Sequence, residues 1–206
     1  MIWLKEELKT GTTTIGIICK DGIVLAADKR VTAGTLIANK RFTKLVEITN
    51  EIATTVAGSV SEVQLLLKLL KAEVRLKKIQ SNIEVSVKST ANLLAGMVYS
   101  NIRQIGGISH FVLGGTDQSG LYIYDIFPDG SISEVDDYIT SGSGSPYVYG
   151  ILETEYTQNI TVEQGIALAK KSIKAAMQRD CASGNGIDVL VITKDGITSK
   201  ETVIID

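Results

Sequence analysis

Histidine and cysteine are scarce in this chain, and their scarcity removes several common catalytic chemistries. The 206 residues include one histidine, His110, and two cysteines, Cys19 and Cys181. A Ser-His-Asp or Cys-His site would have to use His110, which begins an apolar strand and is expected to be structural. Cys19 lies in an apolar run, which favours a buried, inert thiol. Two cysteines in unrelated contexts give no disulfide framework, which favours an intracellular, reducing location.

Motifs for metals, phosphates and nucleic acids are also missing. The cysteines and the histidine do not have zinc-ligand spacing. Neither GxxxxGK[ST] nor a GxGxxG that opens a helix is present. The net charge of −2 lacks the positive excess that a phosphate backbone attracts. We therefore expect no metal, no other cofactor and no nucleic-acid partner.

Long hydrophobic runs are missing as well. The apolar stretches fall far short of the ~20 residues that span a bilayer. The first residues, MIWL, are followed at once by the charged KEELK, so the apolar centre and cleavage site of a secretory signal are not found. We expect no membrane association and a cytoplasmic location.

What the chain does contain is an alternation of strand and helix patterns. Two Lys-Asp-Gly tripeptides predict hairpins in residues 12–32 and 186–206, and a third hairpin is predicted in 41–58. From Ser59 the apolar spacing becomes helical, and Ser59-x-x-Glu62 fits a capping box. Asn82 is the predicted N-cap of a second helix that ends near Gln104.

The second half of the chain repeats this alternation. Strands are predicted in HFVLGGT, LYIYDIF and SISEVDDYITS, with a turn at Pro128-Asp129-Gly130. Ser145-Pro146 predicts a cap and first helical position, and Thr161-x-x-Gln164 predicts a capping box for another helix. Strand groups between helix pairs suggest an α+β fold, in which helices cover the outer faces of two packed antiparallel sheets.

A cluster of hydroxyls opens the first strand, in the segment KTGTTTIGI at residues 9–17. If Thr12 were the first residue of the mature chain, its α-amine, with a pKa of about 7.7–8.0, could accept the proton of its own hydroxyl. In the precursor this nitrogen is an amide and cannot act as a base. Residues 1–11 would then be an inhibitory propeptide, and Gly11 would let the backbone bend towards the attacking hydroxyl.

Such a site also needs a cation, and Lys44 is the candidate. It alternates with Phe42 and Val46, as an inward-facing lysine would. The alternative is an edge-strand charge that blocks aggregation. A buried lysine needs a carboxylate partner, and Asp28, at the end of an apolar strand, is the natural choice.

The register of the first hairpin determines whether Thr12 and Asp28 lie on the same face of the sheet. A three-residue loop, Lys20–Gly22, would place Thr14 opposite Asp28 and Thr12 opposite Arg30, with Thr12 and Asp28 on one face. A two-residue loop would separate them. We expect the three-residue loop, because the proposed chemistry needs Thr12 and Asp28 together.

Taken together, these segments resemble the proteasome β subunit family. The blocks GTTTIGI, DGIVLAADKRVTAG, RFTKLVEI, TTVAGS, GSGSPYVYGILE and RDCASGNGIDVLVI follow the order of that family and span nearly the whole chain. The short segment before Thr12 and the TTTIG that follows are most similar to archaeal members. The resemblance implies a four-layer αββα sandwich of the N-terminal-nucleophile hydrolases. Residues 12–206 would form this domain after autocatalytic removal of residues 1–11.

The resemblance also implies roles for single residues. Thr12 would be the nucleophile, Asp28 and Lys44 its partners, and Gly58 the backbone donor of the oxyanion hole. A further group would orient the terminal amine: Ser143, Asp180 and Ser183. Another set would line the pocket for the residue before the cleaved bond: Val31, Thr32, Phe42, Val46, Val56 and Val60. Because nearly all of the latter are apolar, we expect cleavage after hydrophobic residues.

Family architecture implies heptameric β rings stacked between α rings, with an ATPase regulator acting through the α ring and unfolded chains as substrates. The main alternative is an unprocessed β subunit that serves only as a ring component. Three further alternatives fit the motifs less well: an α subunit, a subunit of the simpler bacterial two-ring relative, and a non-peptidase amidohydrolase of the same superfamily.

Overall fold

A computed structural model describes residues 11–105 and 107–205. The strands, in chain order, are β1 (Thr14–Cys19), β2 (Gly22–Asp28), β3 (Val31–Ala33), β4 (Leu36–Asn39), β5 (Leu45–Glu47), β6 (Ile52–Gly58), β7 (Ser109–Asp117), β8 (Gly120–Ile126), β9 (Ile132–Val135), β10 (Tyr138–Ser141), β11 (Gly186–Thr193) and β12 (Gly196–Ile204). The helices are α1 (Val60–Ser81), α2 (Val87–Ile105), α3 (Ser145–Glu155) and α4 (Val162–Met177). In the described part of the chain, no helix is long and apolar enough to cross a membrane.

The strands form two main antiparallel sheets. The first has the order β10-β1-β2-β11-β12 and the second the order β5-β6-β7-β8-β9, while β3 and β4 form a separate small hairpin. An apolar cluster between the two sheets contains Leu25 and Leu190 from the first sheet and Val112 and Ile123 from the second. The sheets therefore pack face to face.

Helices cover both outer faces. The apolar sides of α1 and α2 pack on β6, β7 and β8 through residues such as Leu70, Leu94 and Phe111. On the other side, α3 and α4 pack on β1, β2 and β11 through residues such as Leu152 and Ile173. The four-layer sandwich of two antiparallel sheets predicted from the sequence is confirmed.

Several local predictions were wrong, and two of them concern the ends of α1. Ser59 precedes α1 but its side chain makes no cap hydrogen bond, so the predicted capping box does not form. Its Oγ lies instead 3.3 Å from Oγ of Ser61. Asn82 ends α1 rather than starting α2: it adopts a left-handed φ of 53°, and its N–H donates to the Lys78 carbonyl. Asparagine tolerates this conformation, which is typical of helix C-termini.

The other differences concern the second half of the chain. The segment SISEVDDYITS is not one strand, because the chain passes at Asp136-Asp137 from β9 in the second sheet to β10 in the first. At α3 the N-cap is Gly144, so Ser145 is already helical. At α4 the predicted capping box is confirmed, since Thr161 and Gln164 each bond the backbone N–H of the other.

Removing the side-chain hydroxyl of the residue before α1 and of the residue before α4 should change the free energy of unfolding by different amounts. Thr161→Ala should lower the free energy of unfolding by about 1 kcal/mol, because it orphans the N–H of Gln164. Ser59→Ala should change it by less than about 0.5 kcal/mol, because no cap bond is lost. Urea unfolding of the single chain measures both. Equal losses at the two positions would contradict the cap assignment.

Candidate active site

Four polypeptide segments that precede or follow strands meet at one edge of the sandwich. Thr12 lies just before β1, Asp28 ends β2, Lys44 precedes β5 and Gly58 ends β6. Thr12, Lys44 and Gly58 line one pocket. Residues far apart in the sequence are therefore brought together because antiparallel strands start and end at the same edge.

Asp28 and Lys44 form a buried ion pair. Their side chains are fully buried, and Lys44 Nζ lies 2.6 Å from Asp28 Oδ1. Asp28 accepts three further hydrogen bonds, all from backbone N–H groups: Oδ1 from Thr13 at 2.9 Å, and Oδ2 from Arg30 at 2.9 Å and from Gly184 at 3.0 Å. Four donors hold this carboxylate, which compensates for its removal from water.

The predicted register of the first hairpin is wrong. Cys19 pairs with Gly22, so the loop has two residues, and Thr14 lies opposite Ala27 rather than Asp28. Asp28 is instead next to Thr13, to whose carbonyl its N–H donates at 3.0 Å. Thr12 and Asp28 are therefore connected without sharing a strand face, because Lys44 bridges Asp28 and the carbonyl of Gly11.

The peptide bond before Thr12 is held at its polar atoms. The Thr12 hydroxyl donates to the Gly11 carbonyl oxygen at 2.7 Å, and Lys44 Nζ donates to the same oxygen at 3.2 Å. The Gly11 N–H donates to Thr32 Oγ1 at 3.1 Å. Thr12 is itself buried. The carbonyl that precedes Thr12 is thus polarised by a cation, as a carbonyl under nucleophilic attack requires.

Lys44 has an unusual environment for a lysine. Burial lowers the pKa of Lys44 below the ordinary lysine value, while the neighbouring Asp28 opposes this shift. Lys44 therefore releases its proton more easily than an exposed lysine does.

A second polar group fixes the nitrogen of Thr12. Ser143 Oγ donates its single proton to Asp180 Oδ2 at 2.6 Å, so a lone pair of the same oxygen accepts the Thr12 N–H at 3.2 Å. Ser183 Oγ also lies 2.6 Å from Asp180 Oδ2, and 2.7 Å from Thr13 Oγ1. The residues of the predicted outer group are therefore connected through Asp180, and Ser143 is the member that contacts the nitrogen of Thr12.

The pocket beside Thr12 is mainly apolar. The side chains on its wall include those of Val31, Phe42, Val56, Val60 and Val63. Val63, on the first turn of α1, was missed by the sequence analysis because its helical spacing indicated only core packing. Two residues predicted for the pocket are not on this wall but next to it: Val46 packs against the cluster under α1 and α2, and Thr32 accepts the N–H of Gly11.

Two glycines of the site are required by space. Gly58 has a φ of +121°, and a Cβ there would lie 2.2 Å from the Ile108 carbonyl oxygen. Gly142 has a φ of +94°, and a Cβ there would lie 2.1 Å from the carbonyl oxygen of Thr12. Gly142 begins the block GSGSPYVYGILE, but no role was predicted for it. Its only signal was a glycine cluster directly after a strand.

Arg30 is another residue that the sequence analysis did not assign. Its Nε donates to Asn185 Oδ1 and its guanidinium also donates to the Cys181 carbonyl, each at 2.8 Å. It thereby fastens the segment around residues 180–185 to the end of β2.

The residues of other catalytic chemistries lie outside this arrangement. His110 Nε2 lies 2.6 Å from Asp125 Oδ1, and its ring stacks on Phe127. Burial raises the pKa of the Cys19 thiol to about 12, so this thiol stays protonated and inert, as predicted. Within residues 11–105 and 107–205, no three His, Cys, Asp or Glu side chains are grouped closely enough to hold a metal ion.

Comparison with known proteins shows which family the sequence belongs to. A family model described as "Proteasome subunit" matches residues 8–192. The chain belongs to the proteasome subunit family. It is 43% identical to a proteasome subunit beta of Archaeoglobus profundus over 202 residues. The matched region covers 97% of this chain and 94% of the relative.

Two further archaeal relatives carry the same description, proteasome subunit beta. The relative from Ferroglobus placidus is 43% identical over 191 residues, or 93% of this chain and 90% of the relative. The relative from Methanococcus maripaludis is 42% identical over 194 residues, or 94% of this chain and 88% of the relative. The similarity therefore extends over more than nine-tenths of this chain, and the family model covers the polypeptide segments of the site.

The lowered pKa of Lys44 predicts a pH dependence of stability. Because the folded chain releases this proton at a lower pH than the unfolded chain, the unfolded state binds more protons between the two pKa values. The contribution of Lys44 to the free energy of unfolding should therefore rise with pH in that window, by up to about 1.4 kcal/mol per pH unit. Urea unfolding between pH 7 and pH 10, compared with Lys44→Met, measures this difference. Parallel curves for the two proteins would contradict it.

Proposed function

We propose that this chain is a catalytic β subunit of the proteasome core particle. It acts as a threonine-type endopeptidase, with Thr12 as nucleophile after removal of residues 1–11. The observation that carries the proposal is the position of the Thr12 hydroxyl, 2.7 Å from the Gly11 carbonyl oxygen that Lys44 also contacts. Residues 1–10 lie outside the described residues, so the proposal for the propeptide rests on Gly11 and on the family.

Removal of the propeptide follows from this contact. The Thr12 oxygen attacks the carbonyl carbon of Gly11, the C–N bond breaks, and the hydroxyl proton passes to the Thr12 nitrogen. The resulting ester is hydrolysed by water, which releases residues 1–11 as an acid and restores the hydroxyl. Glycine is required before Thr12, because a Cβ on Gly11 would lie 1.7 Å from the Cβ of Ala182.

The exposed terminus then cleaves substrates by the same chemistry. The α-amine of Thr12 takes the hydroxyl proton, and the hydroxyl attacks the substrate carbonyl to form an ester that water hydrolyses. The cationic Lys44 lowers the pKa of the amine by like-charge repulsion. Ser143, held by Asp180, orients the amine. The N–H of Gly58 is our candidate donor to the oxyanion.

The apolar pocket supports a preference for hydrophobic residues before the cleaved bond. Its valine side chains and Phe42 offer apolar surface. Among the described residues of its wall, Lys44 carries the one charge, and it is already paired with Asp28. The burial of an apolar side chain there would supply the binding energy.

The family supports assembly with other subunits into a core particle. We propose heptameric rings of this subunit, alone or with other β subunits, stacked against α rings in the cytoplasm and supplied with unfolded chains by an ATPase regulator. Within this assembly the alternative role is that of an unprocessed ring component. Such a subunit would keep residues 1–11 and would hydrolyse nothing.

The mass of the subunit in the assembled particle distinguishes these roles. We expect residues 1–11 to be absent from the wild type and retained in Thr12→Ala. Hydrolysis of a fluorogenic peptide with an apolar residue before the cleaved bond should fall by about 10³-fold or more in Thr12→Ala, because nucleophile and base are lost together.

Thr154→Ala is the matched control, because it removes an exposed threonine hydroxyl from α3 and should retain full activity. Retention of residues 1–11 by the wild type would indicate the structural role. Undiminished hydrolysis by Thr12→Ala would assign the chemistry to another residue or subunit.

A further inference from the structure

A second buried ion pair lies next to the site, between Lys29 and Asp188. Lys29 Nζ lies 2.8 and 2.7 Å from the two carboxylate oxygens of Asp188, and Thr202 Oγ1 donates to Oδ1 of the same group at 2.7 Å. Lys29 is 6% and Asp188 1% exposed. Neither belongs to the wall of the pocket beside Thr12. The proposed cleavage by Thr12 does not use the Lys29–Asp188 pair.

Asp188 lies on the face of β11 that points towards the second sheet. Asp188 is opposite Ala27 on β2 and opposite Thr202 on β12. Side chains alternate along a strand, so Asp188 shares its face of β11 with Leu190, which packs between the sheets. Gly186 leaves room for the lysine, since a Cβ there would lie 3.0 Å from Lys29 Cδ.

The backbone of Lys29 joins three segments of the site. Its N–H donates to the Gly184 carbonyl at 3.2 Å, and its carbonyl accepts the N–H of Phe42 at 3.0 Å. Gly184 in turn donates to Asp28, and Phe42 lies two residues before Lys44. The position of Lys29 therefore affects Asp28 and Lys44, the ion pair whose ammonium contacts the Gly11 carbonyl oxygen.

We propose that the Lys29–Asp188 ion pair is a positioning device for the active site, which fixes the Asp28 carboxylate and the Lys44 ammonium relative to Thr12. The side chain of Lys29 anchors the residue to β11 and β12, and its backbone bonds the segments of Gly184 and Phe42 on either side. Lys29 and Asp188 touch no reacting atom. This inference rests on the proposed function.

The ion pair affects the geometry of the site more than the net stability of the fold. Replacing a buried ion pair by apolar side chains of similar volume is often neutral for stability, while removing one partner is strongly destabilising. A misplacement of about 1 Å at a catalytic group, in contrast, costs up to about 10²-fold in rate. The double variant Lys29→Met/Asp188→Leu therefore separates the two roles, since it removes both charges together.

The experiment measures kcat and KM for a fluorogenic peptide in assembled particles, with kcat expressed per subunit that has lost residues 1–11. The double variant should show kcat reduced by about tenfold or more, with KM changed by less than about twofold, because the pocket is untouched. Thr202→Val, which removes one hydrogen bond to Asp188 and keeps the shape of the side chain, should lower kcat by about threefold.

Leu168→Ala is the stability control, because it opens a cavity in the core under α4, in a cluster whose residues do not line the Thr12 pocket. It should lower the unfolding temperature and keep the wild-type kcat. Wild-type kcat in both the double variant and Thr202→Val would overturn the inference. Failure of the proposed function would appear separately, as a wild type without activity or a Thr12→Ala variant as active as the wild type.

Discussion

The carboxylate of Asp28 is the group on which the arrangement of the site depends. It is fully buried, and it accepts hydrogen bonds from the ammonium of Lys44 and from the N–H groups of Thr13, Arg30 and Gly184. The donors belong to four segments, which lie before β1, between β2 and β3, before β5 and before β11. A buried charge with fewer donors would cost several kcal/mol, so the segments are held where the carboxylate needs them. The Lys44 ammonium, which shares the Gly11 carbonyl oxygen with the Thr12 hydroxyl, is placed as a result.

One arrangement serves two reactions in the proposed mechanism. In the precursor the acyl group is Gly11, and the contacts to its carbonyl come from Thr12 and Lys44. In the processed subunit a substrate carbonyl would take the place of Gly11, while the freed nitrogen of Thr12 keeps Ser143 as its partner. The two reactions differ in the state of a single nitrogen, which in the precursor can receive the hydroxyl proton only as the C–N bond breaks. An amide cannot act as a base, whereas an amine can.

The sequence predicted the layers of the fold and most site residues, but not the local geometry. Apolar periodicity and turn tripeptides depend on nearby residues, which is why the sheets, the four helices and the capping box at Thr161 could be predicted. The hairpin register could not, because Lys-Asp-Gly permits loops of two or three residues. Asn82 and Gly142 serve at chain reversals, where the same residue types fit several roles. Val63 and Arg30 act through contacts between distant segments, for which a single sequence carries no signal.

The chemistry of the pocket limits how selective this peptidase can be. Its wall of valines and Phe42 distinguishes substrate side chains mainly by size and apolar area. Such a pocket separates similar side chains by only about 1–3 kcal/mol, and it has no uncompensated polar group that would reject a wrong one. Selection among proteins must therefore come from access to Thr12 rather than from the pocket. An enclosed ring assembly, which admits only unfolded chains, would supply that selection, and a precursor that stays inactive until assembly would prevent cleavage outside it.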